Sequence, residues 1–205
     1  MDRRKHWDRI YRERTPEMVG WYQAEPAISL HLIEKAGLTK TDPIIDVGGG
    51  ASVLVDHLIQ GGFENLAVLD ISPEALSHAR ARLGARASAV QWIEGDVTEF
   101  CSTKRYALWH DRAVFHFLTQ AADREKYVST MRASLEPKGH VILATFALDG
   151  PSKCSGLEVQ RYDGERLMQQ FGEEFAFVDT KEEAHVTPTG IAQQFNYFLF
   201  RRNRV

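Results

Sequence analysis

The chain has 205 residues, enough for one domain, and 43% of them are hydrophobic, enough for a sizeable core. A net charge of -3 provides no basic surface for a nucleic-acid backbone or an anionic membrane. The charged N-terminus lacks a signal segment, no stretch is long enough to cross a membrane, and two distant cysteines favour a reducing compartment. We therefore expect a cytoplasmic protein with no nucleic-acid or membrane partner.

The N-terminal segment predicts a cap on the rest of the chain. A helix is expected over residues 2–14, because Trp7 and Tyr11 fall on one face of an otherwise charged stretch. Thr15-Pro16 breaks this helix, and Trp21 follows. We predict a single domain over 1–205, divided into a cap over 1–25 and a core over 26–205.

From residue 42 onward, short apolar strands alternate with helices. Strands are predicted over residues 44–47, 65–70, 90–94, 106–110, 140–146, 175–184 and 195–202. The first five do not alternate apolar with polar residues, which is typical of a parallel sheet covered on both faces. The last two flank a Thr-Pro-Thr-Gly turn and predict a hairpin. The fold class is therefore α/β: a mostly parallel seven-stranded sheet, helices on both faces and an antiparallel C-terminal hairpin.

A glycine-rich turn follows the first strand in PIIDVGGGASVLVDHL. Glycines at 48–50 permit positive φ and let a ligand approach the bare backbone. The helix after the turn directs unpaired N–H groups and a positive dipole end towards it. This stretch predicts a ligand site.

Four consecutive strands end in an acid, at Asp46, Asp70, Asp96 and Asp111. The carboxyl ends of parallel strands meet at one edge of the sheet, where ligands bind. An acid after the second strand can accept hydrogen bonds from both hydroxyls of a ribose, and one after the third can accept from a base amine. The series predicts a nucleoside site.

Several segments resemble, in order, the motifs of class I S-adenosylmethionine-dependent methyltransferases of the small, single-domain bacterial type: IIDVGGGASVL, LAVLDIS, EGDV, YALWHDRAVFHFL and LEPKGHVILATF. The resemblance covers nearly the whole chain from about residue 28. It implies a Rossmann-like fold and S-adenosylmethionine as cofactor, and no metal constellation is apparent. By this resemblance the methionine part of the cofactor contacts Asp46, Gly48, Gly49 and Gly50, the ribose Asp70, and the adenine Ile71, Asp96 and Val97.

The resemblance also places the acceptor side after the fourth strand. It implies that Asp111 begins the substrate-side motif and contacts the cofactor, and that His116 acts as an acid/base or orienting group. His110 precedes Asp111 on a strand, so the two side chains point to opposite faces and His110 is expected in the core. Asp111 and Arg112 can form an ion pair at the strand end.

The cap aromatics Trp7, Tyr11 and Trp21 have two interpretations. They can hold the N-terminal segment on the domain, or they can form a lid over a cationic sulfonium, which aromatic faces attract.

The predicted activity is methyl transfer to a small molecule, with a protein lysine or terminal amine as the alternative acceptor. Two more distant alternatives are a non-catalytic nucleoside-binding module and an NAD-dependent oxidoreductase. The oxidoreductase motif G-x-G-x-x-G lacks its final small residue here, where Val53 stands. The oligomeric state is left open.

Overall fold

The computed structural model of the chain describes residues 2–203 and has a seven-stranded sheet in the order β3-β2-β1-β4-β5-β9-β8. Strands β1 to β5 pair in parallel, and β9 and β8 add an antiparallel pair at one edge. The strands are β1 Ile44–Val47, β2 Leu66–Asp70, β3 Val90–Glu94, β4 Tyr106–Arg112, β5 Leu135–Phe146, β6 Lys153–Cys154, β7 Leu157–Glu158, β8 Phe175–Val186 and β9 Ala192–Arg202. The predicted fold class is confirmed.

Six α-helices in residues 2–203 surround the sheet: α1 Arg3–Glu13, α2 Ala27–Lys35, α3 Leu54–Gln60, α4 Pro73–Leu83, α5 Ala121–Ser134 and α6 Gly164–Phe171. Helices α2, α3 and α4 bury their apolar faces against one side of the sheet, and α5 and α6 against the other. Local sequence sets the ends, as at α4, where the Ser72 hydroxyl accepts a hydrogen bond from Ala75 N. None of the helices in this range is long and apolar enough to traverse a bilayer.

Three parts of the fold differ from the sequence prediction. Strand β5 begins at Leu135 rather than at 140, so the segment Pro137-Lys138-Gly139 lies inside it, where the β4–β5 register shifts. Helix α6 was not predicted. The segment around Cys154 forms the two-stranded hairpin β6–β7, which was also not predicted.

The cap consists of α1 and a 3₁₀ turn over Pro16–Met18, and it packs on α4. The Ser72 hydroxyl donates to Asp8 Oδ1 at 2.6 Å, and His78 Nε2 lies 2.9 Å from Tyr11 O. Asp8 and Tyr11 are buried in this contact. The cap is therefore fixed over the carboxyl ends of β1 and β2.

Candidate active site

Two adjoining cavities lie between the cap and the carboxyl edge of the sheet. The first is bounded at one end by Asp70, Ile71, Asp96 and Val97, and at the other by Arg112, Phe117, Cys154, Gln193 and Phe195. The second is lined by Ser29, Asp46, Gly49, Ser52 and His110. Gly48, Arg112, Tyr11 and Trp21 border both, and Trp7 borders the first. All predicted cofactor-side residues except Gly50 and Asp111 therefore line these cavities.

The glycine turn at 48–50 is packed too tightly to carry side chains. At the first position φ is 67°, and a Cβ atom would overlap Val114. At the second position a Cβ would lie 2.7 Å from Asp46 Cγ, and at the third 2.5 Å from Asp70 Oδ2. Gly50 lines no cavity, but its missing side chain leaves space for the Asp70 carboxylate.

Asp46 is held by a buried histidine. His110 Nδ1 lies 2.7 Å from Asp46 Oδ1, and His110 Nε2 lies 2.9 Å from Ser29 Oγ on α2. All three side chains are buried. The prediction that His110 and Asp111 point to opposite faces is confirmed, since Asp111 contacts α5 on the other side. The chain Ser29–His110–Asp46 fixes one carboxylate at the edge of the second cavity.

Asp70 is the buried acid of the first cavity. Its Oδ1 accepts a hydrogen bond from Ser72 N at 2.8 Å. Burial raises the Asp70 pKa to about 7, with smaller contributions from Asp46 and Asp8, whereas the Ser72 N–H works in the opposite direction. Asp70 therefore changes its charge near neutral pH.

Asp96 occupies the rim of the first cavity on the β3 side. Its Oδ1 accepts hydrogen bonds from Thr98 N and Thr98 Oγ1, both at 2.8 Å. Arg3 of the cap approaches Asp96 Oδ2 at 3.4 Å and also pairs with Asp123. The cap is thus joined by ion pairs to Asp96 at the cavity rim and to Asp123 on α5.

The three cap aromatics form one cluster over the cavities. Trp21 Nε1 donates to the Tyr11 hydroxyl at 3.2 Å. Trp7 packs edge-on against Trp21 and Phe117, with centroids 5.5 and 5.0 Å away. These contacts place the cluster as a cover and also hold the cap on the domain, so both interpretations of these residues fit the geometry.

Asp111 lies away from both cavities, contrary to its predicted placement at the cofactor and substrate. The buried carboxylate accepts hydrogen bonds from Val114 N, Phe115 N and the Tyr127 hydroxyl at 2.8, 3.0 and 2.5 Å. Burial raises the Asp111 pKa to about 6, while the Tyr127 hydrogen bond works against that shift. Its acceptor sites are used to hold the turn after β4 onto α5.

His116 also lies outside both cavities. It is fully buried between Phe117 and Phe146, with ring centroids at 4.4 and 4.9 Å. Within residues 2–203 neither ring nitrogen has a hydrogen-bond partner, and burial lowers the His116 pKa to about 3. As placed, this side chain cannot take a proton from a ligand in the cavity, which argues against the predicted acid/base role.

His116→Phe is expected to make the free energy of unfolding depend less steeply on pH below neutrality. Between pH of about 6.5 and 3 the unfolded chain binds a proton that the folded chain does not, so wild-type stability falls as pH falls. One proton corresponds to about 1.4 kcal/mol per pH unit. Urea unfolding at pH 4 to 7 measures the difference in slope. Equal slopes would show that His116 titrates normally.

Arg112 lines both cavities, whereas the sequence analysis gave it only an ion pair with Asp111. The predicted pair with Asp111 is wrong, because the guanidinium turns to the other face and approaches Glu183 Oε2 at 3.5 Å. Its Nε donates to the Tyr197 hydroxyl at 2.7 Å and its Nη1 to Trp21 O at 2.8 Å. It also lies 4.6 Å from the centroid of Phe195. Arg112 joins β4 to the cap and to β8 and β9.

The comparisons with known proteins agree with this geometry. Residues 44–139 match a family described as a methyltransferase domain. Nodulation protein S of Rhizobium tropici is 27% identical over 101 residues, 49% of this chain and 42% of that protein, so the match spans less than half of its length.

Solved structures resemble the whole chain. A SAM-dependent methyltransferase of Anabaena variabilis has a TM-score of 0.77 and 14% identity, covering 99% of this chain and 96% of that one. The 1,6-didemethyltoxoflavin-N1-methyltransferase of Burkholderia thailandensis has a TM-score of 0.68 and 18% identity, covering 87% and 77%. These likenesses show the class I methyltransferase fold.

The family match over residues 44–139 covers slightly less than half of the chain, and the fold of the whole chain is that of the class I methyltransferases, a class whose cofactor is S-adenosylmethionine. The cavities suit this cofactor, because the glycine turn leaves backbone exposed beside two acids that a side chain there would displace.

Proposed function

We propose that this chain transfers a methyl group from S-adenosylmethionine to a nucleophile on a small molecule. One observation carries the proposal: the first cavity continues beyond Asp70 and Asp96 into a space lined by Phe117 and Phe195. The first end suits a nucleoside, and the second offers room for an acceptor. Covered by the cap, this space suits a compact acceptor. The Burkholderia neighbour, named for didemethyltoxoflavin, supports an acceptor of this size.

In this proposal the cavity residues divide the cofactor between them. Asp70 accepts hydrogen bonds from the ribose hydroxyls, while Ile71, Asp96 and Val97 face the adenine. Asp46, fixed by His110, and the bare backbone of the glycine turn receive the methionine end. Trp7, Tyr11 and Trp21 exclude water and present aromatic faces to a cation. The bound sulfonium supplies an activated methyl group.

A protein lysine or terminal amine remains the alternative acceptor. The decisive experiment incubates the protein with donor labelled on the methyl group, with a metabolite extract and with denatured cell protein. Label in small molecules supports the proposal, and label confined to protein supports the alternative. Absence of calorimetric binding of S-adenosylhomocysteine would contradict both.

We expect S-adenosylhomocysteine to bind more tightly as pH rises from 6 to 8. With a pKa of about 7, Asp70 is mostly protonated at pH 6 and mostly ionised at pH 8, where both oxygens accept hydrogen bonds. If only the ionised form binds, the affinity rises about tenfold. Isothermal calorimetry at five pH values measures the slope.

Asp70→Asn is the matched control for this pH dependence. The amide keeps the size of the side chain but does not ionise near neutrality, so the slope should disappear. Affinity should also fall by roughly 1–3 kcal/mol, because ribose hydroxyls lose an acceptor. A wild-type slope in Asp70→Asn would assign the titration to another group.

A further inference from the structure

We propose, building on the methyl transfer proposed above, that the acceptor is an aromatic nucleophile that is neutral at physiological pH, such as an arylamine. It binds on the wall formed by Phe117, Cys154, Gln193 and Phe195, named here the acceptor wall. This assignment names a substrate class and excludes lysine-like alkylamines.

The acceptor wall is built from three separate parts of the chain that the sheet order brings together. Phe117 follows β4, Cys154 belongs to β6, and Gln193 and Phe195 begin β9. In the order β3-β2-β1-β4-β5-β9, these positions lie at the end opposite Asp70 and Asp96. A ligand held by those acids therefore leaves the wall free for a second molecule.

The chemistry of the acceptor wall suits a flat apolar ring with one hydrogen-bonding edge. Phe117 and Phe195 present aromatic surfaces, and Trp7 packs edge-on against Phe117 at 5.0 Å. Aromatic pairs favour offset or edge-to-face contacts with a further ring. The half-exposed Gln193 amide supplies both a donor and an acceptor at this wall.

The charge next to the acceptor wall is positive. The Arg112 guanidinium lines the cavity and lies 4.6 Å from the Phe195 ring centroid. Its counter-ion Glu183 accepts hydrogen bonds from Gln23 Nε2 and the Tyr197 hydroxyl, each at 2.7 Å. Among residues 2–203, Asp70 and Asp96 are the only carboxylates lining this cavity, and both lie at the other end. An alkylammonium bound at the acceptor wall would therefore be repelled by Arg112, and no unpaired carboxylate there would offset its charge.

Proton balance leads to the same class of acceptor. An alkylamine with a pKa of about 10.4 has roughly one molecule in 2,500 neutral at pH 7. Asp111 and His116 are enclosed elsewhere, and burial raises the Cys154 pKa to about 11, so its thiol stays protonated. An arylamine already has a free electron pair. Its nitrogen forms the new N–CH3 bond, the pair of the broken S–CH3 bond stays on sulfur, and one N–H proton leaves to water.

Aniline and benzylamine test the inference, since both carry a phenyl ring but only aniline is neutral at pH 7. With the full chain and saturating labelled donor, we expect aniline to be methylated at least a hundredfold faster. A second readout needs no turnover: aniline should quench the fluorescence of Trp7 and Trp21 in the protein bound to S-adenosylhomocysteine. Faster methylation of benzylamine or of a lysine peptide would overturn the inference, as would failure of aniline both to bind and to react.

Phe195→Leu and its control Phe198→Leu locate the acceptor. Both phenylalanines are buried in β9, but Phe198 packs in the core on the opposite face of the sheet. Phe195→Leu should raise the aniline dissociation constant at least tenfold, Phe198→Leu less than twofold, and neither should change S-adenosylhomocysteine affinity more than twofold. Equal effects on aniline would overturn the placement. If the wild-type chain does not bind S-adenosylhomocysteine, the proposed function itself is overturned.

Discussion

Gly49→Ala is expected to weaken S-adenosylhomocysteine binding about thirtyfold, within a range of roughly five- to 150-fold. The added Cβ would lie 2.7 Å from Asp46 Cγ and 3.0 Å from Val68 Cγ1. Asp46 cannot swing away, because His110 holds its carboxylate at 2.7 Å in a buried site. The turn must move instead, and overpacking of this kind costs about 1–3 kcal/mol.

Gly95→Ala is the matched control for Gly49→Ala. Gly95 also follows a strand at the cavity edge, but the nearest atom to an added Cβ is Leu69 Cδ1 at 3.8 Å. Neither residue has positive φ, so the comparison isolates steric space from backbone strain. We expect Gly95→Ala to change affinity less than threefold, as measured by calorimetry. Equal losses in both variants would show that backbone stiffening, and not the space for Asp46, limits binding.

The part of the site that the sequence could predict is the part that local rules determine. An apolar strand followed by an acid predicts where Asp46, Asp70 and Asp96 lie, because parallel strands end at one edge. The glycine turn is likewise encoded locally. The sequence does not show which side chain occupies the space next to each glycine. The side chain that packs against Gly48, for example, belongs to Val114, more than sixty residues further along the chain.

The sequence could not assign residues whose roles are set by burial or by contacts with residues far away in the chain. Strand alternation predicted the correct faces for His110 and Asp111. It could not predict that Asp111 would be buried against α5, where the Tyr127 hydroxyl donates a hydrogen bond to it. The partner of Arg112, Glu183, comes from β8, beyond any spacing rule. Gln193 reaches the cavity only because β9 inserts between β5 and β8.

Asp111→Ala is expected to destabilise the fold by about 3–5 kcal/mol, a large share of the 5–15 kcal/mol typical of a domain. The substitution removes the acceptor of three hydrogen bonds, two of them buried, and leaves Tyr127 Oη and the N–H groups of Val114 and Phe115 without it. Urea unfolding of the ligand-free protein, monitored by fluorescence and circular dichroism, measures the loss.

Asp111→Asn separates this structural role from a catalytic one. The amide keeps the volume and one acceptor oxygen, so part of the stability should return, while its N–H₂ group faces the N–H donors of the turn unfavourably. At a temperature where every variant is folded, S-adenosylhomocysteine affinity should stay within threefold of wild type, because Asp111 lines neither cavity. A catalytic Asp111 predicts the reverse, with stability retained and turnover lost in both variants.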